Sequence, residues 1–250
     1  MAARDVRVRP LAGLGEIGEG DPLGAEIAST ADPRDGEIVV VSQKVVSKAE
    51  GRLRRLSDVE PGGRARELAE LTGKDPALVE LVLSHSRSVI RAAPGVLITE
   101  TDGGWICANA GIDASNVPEE GLVALLPEDA DASARTIRAE IRAAIGTSPA
   151  VVVADSFGRP WRLGQSDVAL GCAGILALDD WRGRLDAEGR PLAATAIAVV
   201  DEVAAAADLV RDKDSGIPGA VVSGLEHLVG AEDGPGARGL QRPAAEDLFR

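Results

Sequence analysis

The chain has 250 residues, of which 45% are hydrophobic, and a formal net charge of −13. This length and apolar content can fill a core without disulfides, and the acidic balance argues against nucleic acid as a partner. The longest apolar runs, such as 193–200, are far shorter than a membrane span, and no basic-then-apolar signal opens the chain, so a cytoplasmic protein with no membrane partner is expected.

In chain order, strands are expected at 6–11, 37–42, 95–99, 105–108, 150–154, 168–174, 195–200 and 220–222. Helices fall between them. One covers 63–71 and ends at Gly73; the next covers 76–83, with Asp75 as N-cap and Pro76 in the first position. Over 132–145, Ile137, Ile141 and Ile145 recur every four residues, Arg138 and Arg142 lie off that stripe, and Asp131 is placed as N-cap. An alanine-rich helix follows at 201–210. Strands and helices do not strictly alternate, which favours a mixed α+β fold over a doubly wound sheet. A Gly-, Pro-, Glu- and Arg-rich loop at 231–242 and a short amphipathic end at 244–250 read as the tail of a single domain spanning 1–250. Cys107 and Cys172 lie in apolar surroundings and read as reduced core thiols.

Several segments carry chemistry. Gly13-Leu14-Gly15-Glu16-Ile17-Gly18 matches a dinucleotide fingerprint formally, but Glu19-Gly20-Asp21-Pro22 stands where the helix should open, and the acids would repel phosphate. The run Ser42-Gln43-Lys44-Val45-Val46-Ser47-Lys48-Ala49-Glu50-Gly51-Arg52 places cations at a strand's exit; it is either a solvated charged loop or a segment aiming Lys48 and Arg52 at phosphates. Asn109-Ala110-Gly111-Ile112-Asp113-Ala114-Ser115-Asn116 crowds an acid, two amides and a hydroxyl after an apolar run. Asp155-Ser156-Phe157-Gly158-Arg159 repeats the theme. Two carboxylates at strand ends, each beside a hydroxyl or amide and away from any Cys/His cluster, point to hard-cation ligands facing phosphate. Arg159, Arg162 and Arg190 add cations near the second segment. His85 at a helix end and His227 beside Leu228 read as a cap and a packed ring.

These motifs, with Asp201-Glu202 before an alanine-rich helix and Gly216-Ile217-Pro218, occur in the order seen in the coenzyme F420:L-glutamate ligase family, and the chain resembles that family from about 6 to 250. The resemblance implies a GTP-dependent ligase that joins L-glutamate to the terminal carboxylate of F420-0, or of its dehydro form, through an acyl phosphate, releasing GDP and phosphate. Further γ-linked glutamates would follow. It also implies two divalent ions, Mg²⁺ or Mn²⁺, a role for K⁺, and a family-specific mixed-sheet fold whose protomers form an intertwined homodimer. The family's metal ligands fall on Asp113, Asp155, Ser156 and Asp212. Its nucleotide contacts fall on Leu14, Gly15, Glu16, Ile17, Gln43, Lys48 and Asn116, and on the loop Val210, Arg211, Asp212, Lys213, Asp214, Ser215, Gly216 and Ile217; Asp113, Asp155 and Lys48 would serve catalysis. Ser156 replaces a commoner Thr, Gln43 a commoner Ser or Thr, and Leu178-Asp179-Asp180-Trp181 lacks the usual Lys. The chain reads as a standalone ligase domain, without the nitroreductase-like flavin domain of some relatives. Two other readings share the acidic strand ends or the cofactor: another metal-dependent phosphoryl or nucleotidyl transferase, and a non-catalytic deazaflavin-binding protein.

Overall fold

The computed structural model describes residues 5–115, 117 and 119–247. Its centre is β2 (Ile38–Ser42), following β1 (Arg7–Pro10) and α1 (Leu23–Ala31). Residues 38–41 of β2 are fully buried, with Val39 and Val41 facing one side of the sheet and Ile38 and Val40 the other. A β-branched run with no polar alternation is what a strand covered on both faces requires. The chain continues through α2 (Gln43–Ala49), β3 (Leu53–Arg55), α3 (Gly63–Thr72), α4 (Pro76–Ser84), β4 (Ser86–Ala93), β5 (Val96–Thr101), β6 (Ile106–Ala108) and β7 (Leu122–Ala124). It then forms α5 (Ala130–Ile145), β8 (Ala150–Arg159), β9 (Arg162–Ala173), β10 (Asp179–Asp180), β11 (Ala196–Ile197), α6 (Val199–Asp208) and β12 (Gly219–Ser223).

The main sheet has the order β1-β12-β2-β8-β9, with β2 and β8 parallel and the other pairs antiparallel. This is the mixed sheet expected. Helices α1 and α5 cover one face through Leu23, Ile27, Ile137 and Ile141, and α6 covers the other through Val200, Val203, Ala204 and Ala207. A smaller core joins α3 and α4 to the sheet β4-β5-β6, with Ala110, Ile112 and Val123 inside it. No helix among the described residues is long and apolar enough to cross a membrane.

Several expected boundaries move. The helix at 132–145 begins at Ala130, and its N-cap is Asp129, whose side chain accepts from the Ala132 amide at 3.0 Å. Asp131 instead turns inward. Its Oδ1 accepts from the amides of Cys172 and Ala237, both at 2.8 Å, and so binds β9 and the C-terminal segment to α5. Gly171 allows that approach, since a Cβ there would lie 2.1 Å from the Ala130 carbonyl carbon. Arg138, placed off the apolar stripe by periodicity, is buried. Its guanidinium donates to the carbonyls of Pro149, Ala231 and Gly230 and to Asp233 at 2.7 Å. The segment after 231 is therefore stitched into the core, with Ala237 fully buried, and is not a loose tail. Within 195–200 only Ala196–Ile197 is strand, because Val199 and Val200 already belong to α6 and pack on the sheet. The run at 42–52 opens as helix α2, capped by Ser42, and is not an exit loop.

Replacing Arg138 strands several buried carbonyls and Asp233 at once. Arg138→Ala is expected to lower unfolding stability by about 3 kcal/mol, read as a shift of the urea midpoint without a change in slope. A shift worth less than about 1 kcal/mol would show that the clamp is not a structural support.

Candidate functional site

Strands β2 and β8 run parallel to the pair Ser42↔Ala154 and then part. β2 turns into α2, whereas β8 continues with β9 as a two-stranded arm beyond the sheet. Just before the divergence the β8–β9 register steps from Val153↔Gly171 to Ala154↔Ala169, leaving Leu170 as an extra residue. Such a bulge bends the pair and re-aims the side chains that follow. The amide of Ala169 there is met by Asp201 Oδ1 at 2.9 Å. The gap between the parting strands is a cavity of about 1250 Å³. Crevices at the carboxyl ends of diverging strands are where open α/β sheets take ligands.

One wall is the segment after β6. Asn109, Ala110 and Gly111 all have positive φ, at 52°, 54° and 71°. For alanine this is a strained conformation, supported here by burial of its methyl in the small core. The turn delivers Asp113 to the cavity, where its backbone bridges Ala124. Its Oδ1 accepts from the Ser115 amide at 2.7 Å and its Oδ2 from the Ser115 hydroxyl at 3.0 Å. The Lys44 ammonium lies 2.9 Å from Oδ2 and donates to the Ser115 hydroxyl at 2.8 Å. Burial raises the Asp113 carboxyl, but the Lys44 and Ser115 donors outweigh it and hold the group below its ordinary value.

The facing wall is β8 at the root of the arm. Burial, with the nearby charges of Asp113 and Asp167, pushes the Asp155 carboxyl up to about 7, against the pull of the Ser156 amide and Lys44. The Ser156 hydroxyl donates to Asp167 at 2.6 Å and accepts from Lys213 at 2.9 Å. Asp167, directly opposite Ser156 in the register, is itself buried and ion-paired with Arg211. Lys213 also reaches Asp208 at 3.1 Å. Lys48 completes the cations, 3.4 Å from the exposed Glu16.

Of the residues expected to act, the structure brings Leu14, Gly15, Glu16, Ile17, Lys48, Asp113, Asp155, Ser156, Arg211, Asp212, Lys213, Gly216 and Ile217 to this one cavity. Gln43, Val210, Asp214 and Ser215 are not on its lining. Gln43 is fully buried on the inner side of α2, where its Oε1 accepts from Ser47 and its Nε2 has no partner among the described residues. Asn116 lies outside the described residues. Arg52 points elsewhere: it pairs with Glu128 at 2.7 Å and lines a separate cavity of about 460 Å³ with His85 and Trp105. Arg159 donates to the Leu163 carbonyl within the arm, and the Arg190 amide to Asp186. Ser115 bonds within the turn, to Asp113, whereas the Asn109 side-chain oxygen has no hydrogen-bond partner among the described residues. Both thiols are buried, which pushes Cys107 and Cys172 up to about 12, so neither is poised as a nucleophile.

Lys44 and Asp167 escaped the sequence reading. Lys44 sits four residues before Lys48 and shares its helix face once the run is read as a helix. Asp167 follows from pairing Ser156 across the arm, had strand 168–174 been extended back to Arg162. Among the described residues no three His, Cys, Asp or Glu side chains converge to hold a metal on their own. Asp113, Asp155, Ser156 and Asp212 are oxygen donors that a hard cation could use only together with ligands from elsewhere.

Fold and cavity define a mixed α/β protein whose polar cleft opens where a parallel strand pair diverges and collects both lysines and carboxylates. A family profile described as F420-0:Gamma-glutamyl ligase matches residues 13–224, and the chain belongs to that family. It is 41% identical over 247 residues to the Coenzyme F420:L-glutamate ligase of Methanopyrus kandleri, covering 98% of each chain. The protein of the same name from Methanothermobacter thermautotrophicus is 42% identical, over 95% of this chain and 96% of its own. That from Haloarcula marismortui is 44% identical, over 95% and 93%.

Because the Asp155 carboxyl is raised in the fold, its contribution to stability is present below pH 4 and is lost as pH climbs through about 7. Asp155→Asn, which stays neutral, is therefore expected to match wild type near pH 4 and to exceed it by roughly 1–3 kcal/mol at pH 8 in chelator-treated buffer. Thermal melts across that range check this; equal melting at pH 8 would refute the burial of a charged Asp155.

Proposed function

We propose that this protein is a ligase that adds L-glutamate to the terminal carboxylate of F420-0 at the expense of GTP. The observation that carries the reading is the convergence, in one cavity, of the acids, lysines and glycine-rich backbone that the family resemblance names. Its volume exceeds the usual range of a single-ligand pocket, as a nucleotide and an acceptor together require.

A carboxylate does not condense with an amine unaided, because its oxygen is a poor leaving group. In the proposed first step an acceptor carboxylate oxygen bonds to the γ-phosphorus of GTP, the bond to the β-γ bridging oxygen breaks, and GDP leaves. In the second, the glutamate α-amine bonds to the acyl carbon, the bond to phosphate breaks, and the amine proton passes to solvent. Both acceptor and nucleotide are anions, so the cations of the cavity have to hold like charges together. Lys48 and Lys213 both line the space, and residues 14–17 offer backbone to it. A divalent ion held by Asp113, Asp155, Ser156 and Asp212 would neutralise phosphate charge. The donors fit a hard cation in kind, since all are oxygen and the crowding of Asp155 by Asp113 and Asp167 is what a bound cation relieves, with phosphate oxygens supplying the ligands that these side chains do not.

We also propose that two chains pair through the β8–β9 arm. Beyond Gly158 the arm is exposed, Leu163 at 98% and Trp161 at 86%, which is unusual for large apolar side chains at a hairpin tip.

Incubation with F420-0, L-glutamate, GTP and Mn²⁺ is expected to give products heavier by glutamyl increments, matched by GDP, in mass spectra. Asp113→Asn and Asp155→Asn should each slow this at least about 100-fold. GDP formation that needs neither deazaflavin nor glutamate would instead favour a different phosphoryl transferase. Leu163→Asp is expected to halve the mass seen by light scattering; an unchanged mass would remove the arm from the interface.

A further inference from the structure

Lys44 has no role in the reaction as written above, yet it lines the site and touches one of its acids. It stands on α2 one turn from Lys48, on the same face, and both line the large cavity. Its side chain is 15% exposed, its ammonium lies 2.9 Å from Asp113 Oδ2, and it donates to the Ser115 hydroxyl at 2.8 Å. Asp155 on the opposite wall feels the same charge. The ammonium thus stands at a carboxylate that, on the reading proposed above, a divalent cation takes.

We propose that Lys44 is a resident counter-ion that exchanges partners: it neutralises Asp113 in the ligand-free protein and moves to a phosphate oxygen when a divalent cation arrives with a polyphosphate. Two steps carry this. An ammonium and a divalent ion cannot both sit within contact distance of one carboxylate oxygen without strong repulsion, since only the carboxylate lies between them. Lysine is also suited to leave. Its charge is a point at the end of a flexible stem with no directional fork to lose, and the cavity that the stem already lines is where the phosphates would lie. The exchange gives the site matched charge in both states. Without ligands it holds ammonium against carboxylate; with them, metal against carboxylate and ammonium against phosphate.

The inference rests on the phosphate-binding reading of the cavity, and its test uses binding alone. Mn²⁺ affinity is measured by titration calorimetry or electron paramagnetic resonance, first with Mn²⁺ by itself and then with GDP or inorganic tripolyphosphate added. Wild type is compared with Lys44→Met, which keeps the apolar stem, and Lys44→Arg. Lys44→Met is expected to bind Mn²⁺ alone about 3–10 times more tightly, because a competitor is gone, and to bind the Mn²⁺–polyphosphate pair at least about tenfold more weakly. Lys44→Arg should recover much of the second loss. Weaker binding of Mn²⁺ alone by a folded Lys44→Met would make Lys44 a mere support of Asp113 and overturn the exchange, as would unchanged polyphosphate affinity. A wild type that binds Mn²⁺ but neither GDP nor tripolyphosphate would overturn the phosphate reading of the cavity, and the exchange with it.

Discussion

The parallel pairing of β2 with β8 is the constraint on which the rest depends. Both strands are buried on both faces over Ile38–Val41 and Ala150–Ala154, so their register is tied to two helix layers at once. A pair held that firmly can part abruptly at its carboxyl end, and α2 and the β8–β9 arm, with their polar side chains, take their positions from that parting. α2, with its two lysines, leaves on one side, and Asp155 and Ser156 leave on the other. The bulge at Leu170 then turns the arm, so that Asp167 comes round to face Ser156. Slippage of either strand by one residue would exchange its two apolar faces and remove the opening.

The edge of that sheet is secured by carboxylates. β9 is the last strand, and its outward amides at Ala169 and Cys172 are met by Asp201 and Asp131. Asp131 has the Ala237 amide as its second donor, and Arg138 two turns of helix further on gathers the carbonyls of the same C-terminal segment. An exposed edge invites pairing with another chain, and side-chain acceptors together with a covering segment close it. At the tip of the arm Trp161 and Leu163 are exposed, in contrast to this guarded part of β9.

Legibility followed the range of the forces. The caps at Asp75 and Gly73, the apolar stripe of α5 and the β-branched runs of β2 and β8 are local signals, and they appeared where expected. Strand β4 was invisible because register shifts between Ser86 and Ser88, and between Val89 and Arg91, break the period-two pattern that would have marked it. Arg138 and Asp131 read as surface and cap because their partners, residues 230–237 and Cys172, are remote in sequence. The acids Asp113 and Asp155 stood out because each sits with hydroxyls and amides at the end of an apolar run. Lys44 did not, since its meaning depends on a seven-residue helix too short to announce itself by periodicity.

The charge arrangement of the site follows from that of the whole chain. A protein of net charge −13 has no surplus field with which to attract a polyanion, so attraction must be local. Each cavity cation is nevertheless engaged with an acid: Lys44 with Asp113, Lys48 with Glu16, Lys213 with Asp208, Arg211 with Asp167. These pairs differ in kind. Arg211 and Asp167 are both buried and so are committed to one another, since separating them would leave two uncompensated charges away from water. The lysine pairs have a water-facing member, Glu16 almost completely and Asp113 in part, and such pairs separate at small cost. On the exchange proposed above, such a pairing holds Lys44 aligned at Asp113 and lets it leave when phosphate charge becomes available. The fixed Arg211–Asp167 pair meanwhile preserves the Ser156 hydroxyl in place through the exchange.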